Sequence, residues 1–181
     1  MTTIEIPRPV VGDVVELIIN DHRFFESLLR ALRDASADRG AAREALSHAL
    51  IAHGEAEESE VYPKLARKDA ISGQEEHHGK KEHAKGNAAL LALLECKGTS
   101  TQKFDDAVEE LATALNHHIG EEEQTILNGA RNDVPDATRR DLGQSWAARR
   151  NQLLDEGCGD IEKVREIVAS EAELLQESES Q

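Results

Sequence analysis

The sequence predicts an all-α protein: an up-down-up-down four-helix bundle with two additional C-terminal helices. Three observations carry this. Ala, Leu and Glu are plentiful, while aromatic residues make up only 3% of the 181 residues. Apolar residues recur at three- and four-residue spacing over long segments, and strand-type alternation of β-branched residues is absent. Short Gly-, Pro- and Ser-containing breaks separate those segments, which favours antiparallel neighbours. Residues 1–130 are read as the bundle and residues 131–181 as a helical extension packing on it.

The first helix is expected from about Val10 to Arg33, with Val11, Val15, Ile18, Phe25, Leu29 and Leu32 as its apolar stripe and His22 on that stripe. A second is expected from Ala41 to Ala66, where Leu46, Ala49, Leu50, His53, Ala56, Glu57 and Val61 share a face. Tyr62-Pro63 should tighten or kink its last turns. Lys68–Gly79 is rich in charge and reads as a connection. A third helix covers Lys80 to Leu94, with His83, Asn87, Leu90 and Leu94 in phase. After the Lys97–Ser100 break, a fourth runs from Thr101 to Leu127, striped by Phe104, Val108, Leu111, Leu115, His118, Glu122 and Ile126. Pro135-Asp136 opens a fifth, with Leu142, Trp146 and Leu153, and Gly157–Asp160 starts a sixth, with Ile161, Val164, Val168 and Leu175. Neither of these two carries a ligand-type residue on its stripe, so both are expected on the outside of the bundle or at an oligomer contact. Gln176–Gln181 is polar and expected to fray.

Composition limits the partners. A formal net charge of -15 argues against nucleic-acid phosphates and anionic membrane surfaces. No run approaches a membrane span, and Met1–Val15 has no basic segment followed by an apolar one, so a cytoplasmic location is the default. Cys96 and Cys158 form no metal-binding pair of cysteines; a single disulfide or two reduced thiols both fit, the thiols being expected for a cytoplasmic chain. A monomer or small homo-oligomer is expected. There is no nucleophile triad and no Gly-rich phosphate loop.

One pattern occurs twice, 65 residues apart: His53-Gly-Glu-Ala-Glu57 and His118-Ile-Gly-Glu-Glu122. On a helix, a histidine and a glutamate four positions apart lie on one face, one turn apart. His22, His53, Glu57, His83, His118 and Glu122 all occupy positions that their helices reserve for the core. Burying an unpaired carboxylate costs several kcal/mol. One histidine on an apolar stripe is commonly a hydrogen-bonded core residue, and one His/Glu pair is commonly just a pair. Four helices that each deliver a histidine, two of them adding a glutamate, call for a shared explanation. A metal supplies it by neutralising the carboxylates and taking the imidazoles as neutral ligands. The layout also repeats, a lone histidine being followed by a His-x-x-x-Glu in each half of the bundle.

The segments Asp21-His22-Arg23, His53-x-x-x-Glu57-Glu58-x-x-x-Tyr62-Pro63 and His117-His118-x-x-x-Glu122-Glu123 resemble the hemerythrin-like HHE cation-binding family, over about Val10 to Leu127. The resemblance implies a four-helix bundle holding a non-haem di-iron centre, with two Fe ions joined by an oxo or hydroxo bridge. It implies small-molecule partners, since members bind oxygen, sense oxygen or iron, or act on hydrogen peroxide or nitric oxide. Carried over residue by residue, the ligands are His22, His53, Glu57, His118 and Glu122, with one histidine from the third helix. His77, His78 and His83 compete for that place. His83 is chosen for its stripe, with His78 as an additional or substitute ligand. The oxygen carriers of the family use two histidines four apart on this helix, and here the partner of His83 would be Gly79.

If Glu57 and Glu122 bridge and each iron takes two histidines, an octahedral preference leaves open positions at each metal. That favours a reactive or sensing centre over an oxygen store. Mixed imidazole and carboxylate ligation favours iron over zinc. Tyr62, the only tyrosine, is a candidate ligand or radical trap, or else a helix-ending residue. Gly54 and Gly120 are expected to leave room beside the ligands. Glu55, Glu58 and Glu123 are expected to be solvated or to support the ligands, and His48 and His117 to lie beside their stripes.

Overall fold

The computed structural model describes residues 3–179, and among these it is helical with no strand. In order come α1 (Val14–Arg33) and α2 (Arg39–Ala56), a π-helical turn (Glu57–Val61) and the short α3 (Tyr62–Arg67). They are followed by α4 (Gly73–Leu94), α5 (Gln102–Gln124), α6 (Ile126–Asp133), α7 (Asp136–Asp155), α8 (Ile161–Ser170) and α9 (Ala172–Glu179). No helix among the described residues is long and apolar enough to cross a membrane.

Local chemistry sets the ends, and several differ from the sequence expectation. The first helix starts at Val14, not Val10, because the Asp13 carboxylate accepts from the Val15 N–H at 2.9 Å. Val10 and Val11 lie outside it and are exposed. The stretch expected as a connection, Lys68–Gly79, is helical from Gly73 onward. Ser72 accepts from the Glu75 N–H while the Glu75 carboxylate accepts from the Ser72 N–H, a capping box that starts α4 there. The fourth helix stops at Gln124. Thr125 donates its hydroxyl to the Glu121 carbonyl at 2.8 Å and leaves the helical conformation, so Ile126 begins a separate helix. The sixth expected helix is likewise divided at Glu171; the tail expected to fray, Gln176–Gln181, is helical through Glu179, and residues 180 and 181 lie outside the described residues.

Tyr62-Pro63 does not tighten the second helix. The backbone instead widens into the π turn, in which the Tyr62 N–H bonds to the Glu57 carbonyl five residues back. Proline has no N–H to continue the α ladder, so a break falls naturally here. Along a regular α-helix Tyr62 would sit about 140° around from Glu57. The wider turn brings it back to Glu57's side, where it is fully buried.

α1, α2, α4 and α5 form a closed ring of neighbours: α1 packs on α2 and α5, and α4 packs on α2 and α5. α7 lies along α1 and α2, while α8 and α9 cover α4. The apolar core is split. One cluster holds Phe25, Leu29, Ala52, Leu90 and Ile119; the other holds Ile18, Ala56, Tyr62, Ile126 and Trp146. Each long helix contributes to one or both, and the polar core residues fall between them. His22 stands between Ile18 and Phe25 on α1, and Glu122 between Ile119 and Ile126. Each fully buried large side chain contributes about 1.5–3 kcal/mol. The two clusters therefore fix the helix spacing at the level where the histidines meet. Cys96 and Cys158 are buried, free thiols, and burial pushes Cys158 up to about 11.

Candidate metal centre

Six side chains converge between the apolar clusters, and all six are buried: His22, His53, Glu57, His83, His118 and Glu122. Their ligand-type atoms form two groups. His22, His53, Glu57 and Glu122 make one, and Glu57, His83 and His118 make the other, each within 4.8 Å. Glu57 belongs to both. Its Oε1 lies 2.9 Å from His53 Nε2 and its Oε2 lies 3.0 Å from His83 Nε2. Glu122 is placed differently. Its Oε2 sits 3.2 Å from His22 Nε2 and 3.5 Å from His118 Nε2, while its Oε1 accepts from the Tyr62 hydroxyl at 2.6 Å.

Three imidazoles are tied by the nitrogen facing away from this cluster. His22 Nδ1 meets Glu123 Oε1 at 2.9 Å, His53 Nδ1 meets Asp21 Oδ2 at 3.1 Å and His83 Nδ1 meets Glu58 Oε1 at 2.7 Å. A carboxylate on Nδ1 fixes that nitrogen as the donor and turns a neutral Nε2 lone pair inward, the arrangement that supports metal-bound histidines. The supports are themselves held. Arg23 Nη2 grips Glu123 at 2.7 and 2.9 Å. Arg150, fully buried on α7, forks onto Asp21 at 2.7 and 2.8 Å and donates to the Pro7 carbonyl at 2.8 Å. Trp146, one turn before Arg150, meets the His53 ring edge-on at 5.7 Å. α7 thus sets the position of one of the cluster's histidines.

Inside the cluster, His22 Nε2, His53 Nε2, His118 Nε2, Glu57 Oε1 and Glu122 Oε2 are buried and lack a hydrogen-bond partner. The close His/Glu approaches fall within ion-pair range without forming hydrogen bonds. An orphaned buried carboxylate oxygen is costly. Five orphaned atoms aimed at a shared space fit a cation. Without a metal, protons take part of that role. Burial alone would lower the His53 imidazole, yet Glu57 and Asp21 outweigh it and raise it to about 9. Burial also works against Glu57, but His53 and His83 hold its carboxyl well below the ordinary range. Burial instead pushes His118 down to about 4.

Tyr62 closes one side. Its hydroxyl lies 3.3 Å from Glu57 Oε2 and 3.4 Å from His83 Nε2, besides the bond to Glu122. Its ring stacks on His83 at 5.6 Å. Burial and then the Glu122 and Glu57 carboxylates drive the phenol well above its usual range, so it holds its proton. Of the glycines expected to make room, an added Cβ on Gly54 would lie in ordinary contact with the His83 ring, and one on Gly120 would have nothing within 4 Å.

The remaining histidines lie elsewhere. His78, carried as an additional or substitute ligand, is absent from both buried groups. The early start of α4 turns it outward, leaving its side chain 53% exposed and 2.5 Å from Glu121. His77 is exposed. His117 pairs with Glu82 at 2.8 Å, and His48 accepts from the Gly159 N–H at 3.1 Å. Asp21 stands in the His22 motif, but neither it nor Arg150 is expected from the sequence to support the cluster. Arg150 follows Trp146 by four positions, so it sits on the α7 apolar stripe, and a charged residue there signals a buried partner.

Helices that bury two carboxylates among four imidazoles define a class of protein able to hold metal cations. The chain belongs to the hemerythrin HHE cation-binding domain family, which matches residues 13–129. It is also similar to a DNA nickase from Nostoc sp. (strain PCC 7120), with 25% identity over 104 residues, 58% of this chain and 29% of that protein. The chain therefore spans less than a third of the curated relative it matches. No solved structure matches it.

Proposed function

We propose that this chain is a non-haem di-iron protein whose iron pair binds or reacts with small oxidants: hydrogen peroxide, nitric oxide or oxygen. The observation that carries the reading is the set of orphaned inward atoms, backed by carboxylates on the outer nitrogens of His22, His53 and His83. His22 and His53 would hold one iron, and His83 and His118 the other. Glu57 would join them, since its two oxygens face different groups. Glu122 would complete the set. The ring of packing among α1, α2, α4 and α5 supports an up-down-up-down bundle around the pair.

Bound iron would supply one-electron chemistry and positions for a small molecule. The chain's own residues do the rest. Tyr62 keeps a proton beside Glu122, a donor within reach of whatever occupies the space between the carboxylates. The apolar clusters on either side limit water. A cleft of about 380 Å³ is lined by His118 and Glu122 together with exposed residues such as His78, a volume larger than a diatomic gas or a peroxide. Nothing in the geometry calls for DNA, and the charge of -15 opposes it. A cytoplasmic monomer or small homo-oligomer fits this role.

Metal analysis with an optical spectrum of aerobically purified protein tests the centre. Two irons per chain with near-ultraviolet oxo-to-iron bands are expected; a metal-free or zinc-only protein sinks the reading. Oxygen evolved from added peroxide, compared per iron with free ferric ion, separates turnover from simple binding. Stable reversible oxygenation over many cycles would return the protein to the oxygen stores.

A further inference from the structure

The His-x-x-x-Glu spacing that marks the buried cluster occurs again outside it. His78-Gly-Lys-Lys-Glu82 lies on α4 and His117-His-Ile-Gly-Glu121 on α5. The two helices pack together, and the motifs face each other head to tail. His78 Nε2 lies 2.5 Å from Glu121 Oε2, and His117 Nδ1 lies 2.8 Å from Glu82 Oε2. His117 Nε2 also comes within 3.5 Å of Glu121 Oε1.

We propose that His78, Glu82 and Glu121, with His117 bracing the two carboxylates, form a second, mononuclear site for a divalent transition-metal ion in the cleft that His118 and Glu122 also line. Ligand atoms of His78, Glu82 and Glu121 all fall within 4.8 Å of one another, and His117 touches both carboxylates. An imidazole with two carboxylates suits Zn²⁺, Fe²⁺ or Co²⁺ better than Ca²⁺ and Mg²⁺, which prefer oxygen ligands alone. Glu82 is a built element, not a waving surface group: its side chain is only 3% exposed, and Lys85 holds its other oxygen at 2.7 Å. His78, Glu82 and Glu121 line the same cleft as His118 and Glu122, whose Nε2 and Oε2 are buried without hydrogen-bond partners. His117 and Glu121 are the chain neighbours of His118 and Glu122 on α5, so the outer site adjoins the inner one. The outer site would therefore capture metal and pass it inward, a role that rests on the di-iron reading, whereas the site itself does not.

The test is calorimetric titration of the iron-loaded chain with Zn²⁺, iron content being measured before and after. Wild type is expected to take up one further equivalent. His78→Ala/Glu121→Gln is expected to lose it or bind at least about tenfold more weakly, at unchanged helicity. With metal-free protein, the double variant should take up Fe²⁺ several-fold more slowly while reaching the same final content. His117→Ala should weaken the same equivalent. Equal Zn²⁺ binding by wild type and variants would mean adventitious surface binding and overturn the outer site, leaving the four residues as an ion-pair ladder. No further equivalent in wild type would overturn it as well. If the protein holds no iron pair at all, the proposed function fails, yet the Zn²⁺ difference between wild type and variant still decides the outer site.

Discussion

Gly79 and Tyr62 share one space: a Cβ on residue 79 would sit 2.9 Å from Tyr62 Cε2 and 3.3 Å from Ile126 Cδ1. The residue that breaks the oxygen-carrier pattern on α4 is thus the one that admits the phenol ring. The π turn delivers the ring, and the missing side chain on α4 receives it.

Gly79→Ala should therefore displace Tyr62 and not merely stiffen α4. Overpacking of this kind costs about 1–3 kcal/mol, which for a chain of this size lowers the melting temperature by roughly 2–4 °C per kcal/mol. As Tyr62 is the only tyrosine, its ultraviolet resonance Raman bands report the loss of the bond to Glu122 directly. A variant with unchanged bands and stability would count against the shared space.

Arg150 and Asp21 should behave as a unit. Arg150→Met leaves the Asp21 carboxylate buried with only His53 to answer it, an expected loss of about 3–5 kcal/mol in denaturant unfolding. Asp21→Asn/Arg150→Met should cost less than the sum of the single changes. Asp21→Asn alone should weaken metal binding by about 10–100-fold through His53. Additive costs and unaltered metal affinity would remove α7 from the support of the centre.

Chelation should destabilise the whole bundle. A ligand present at a thousandfold over its dissociation constant adds about 4 kcal/mol, so stripping the metal should lower the melting temperature by roughly 10 °C. His53→Ala should show little further loss on chelation. Normal metal content in His83→Ala would move the α4 ligand to another histidine.

Glu171 gives a pH dependence outside the centre. Burial raises its carboxyl to about 7, against the opposing pull of Asn87, whose side-chain amide donates to it at 3.0 Å. The folded chain then binds this proton more tightly than the unfolded chain does, so the stability it contributes is complete below about pH 4.5 and is lost as pH rises through 7. Because the group is partly exposed, about 1 kcal/mol is expected. The protection of α9 amides, with the base-catalysed rise in intrinsic exchange divided out, should fall between pH 5 and 8, and Glu171→Gln should flatten that fall.

Much of the site was legible because helix periodicity is a local property. His22, His53, Glu57, His83, His118 and Glu122 stand on apolar stripes, and each is buried. Tyr62 was ambiguous because 3.6-residue phasing puts it aside, and only the π turn returns it. His78 was expected in a connection as an alternative to His83, whereas the capping box starts α4 at Gly73 and places His78 on the helix with its side chain exposed.

The sequence alone determined that the chain is helical, that it belongs with the HHE-type resemblance and that six polar residues fall in core phase, since all three follow from spacing along one helix at a time. The tertiary structure decided what depends on distances between helices. It set which oxygen of Glu57 faces which histidine, and it placed Asp21 and Arg150 behind His53 and the Tyr62 ring against Gly79. It also brought the outer His78/Glu121 and His117/Glu82 pairs together between α4 and α5. Those relationships exist only once apolar packing above and below has set the helices at fixed separations, which no single helix encodes.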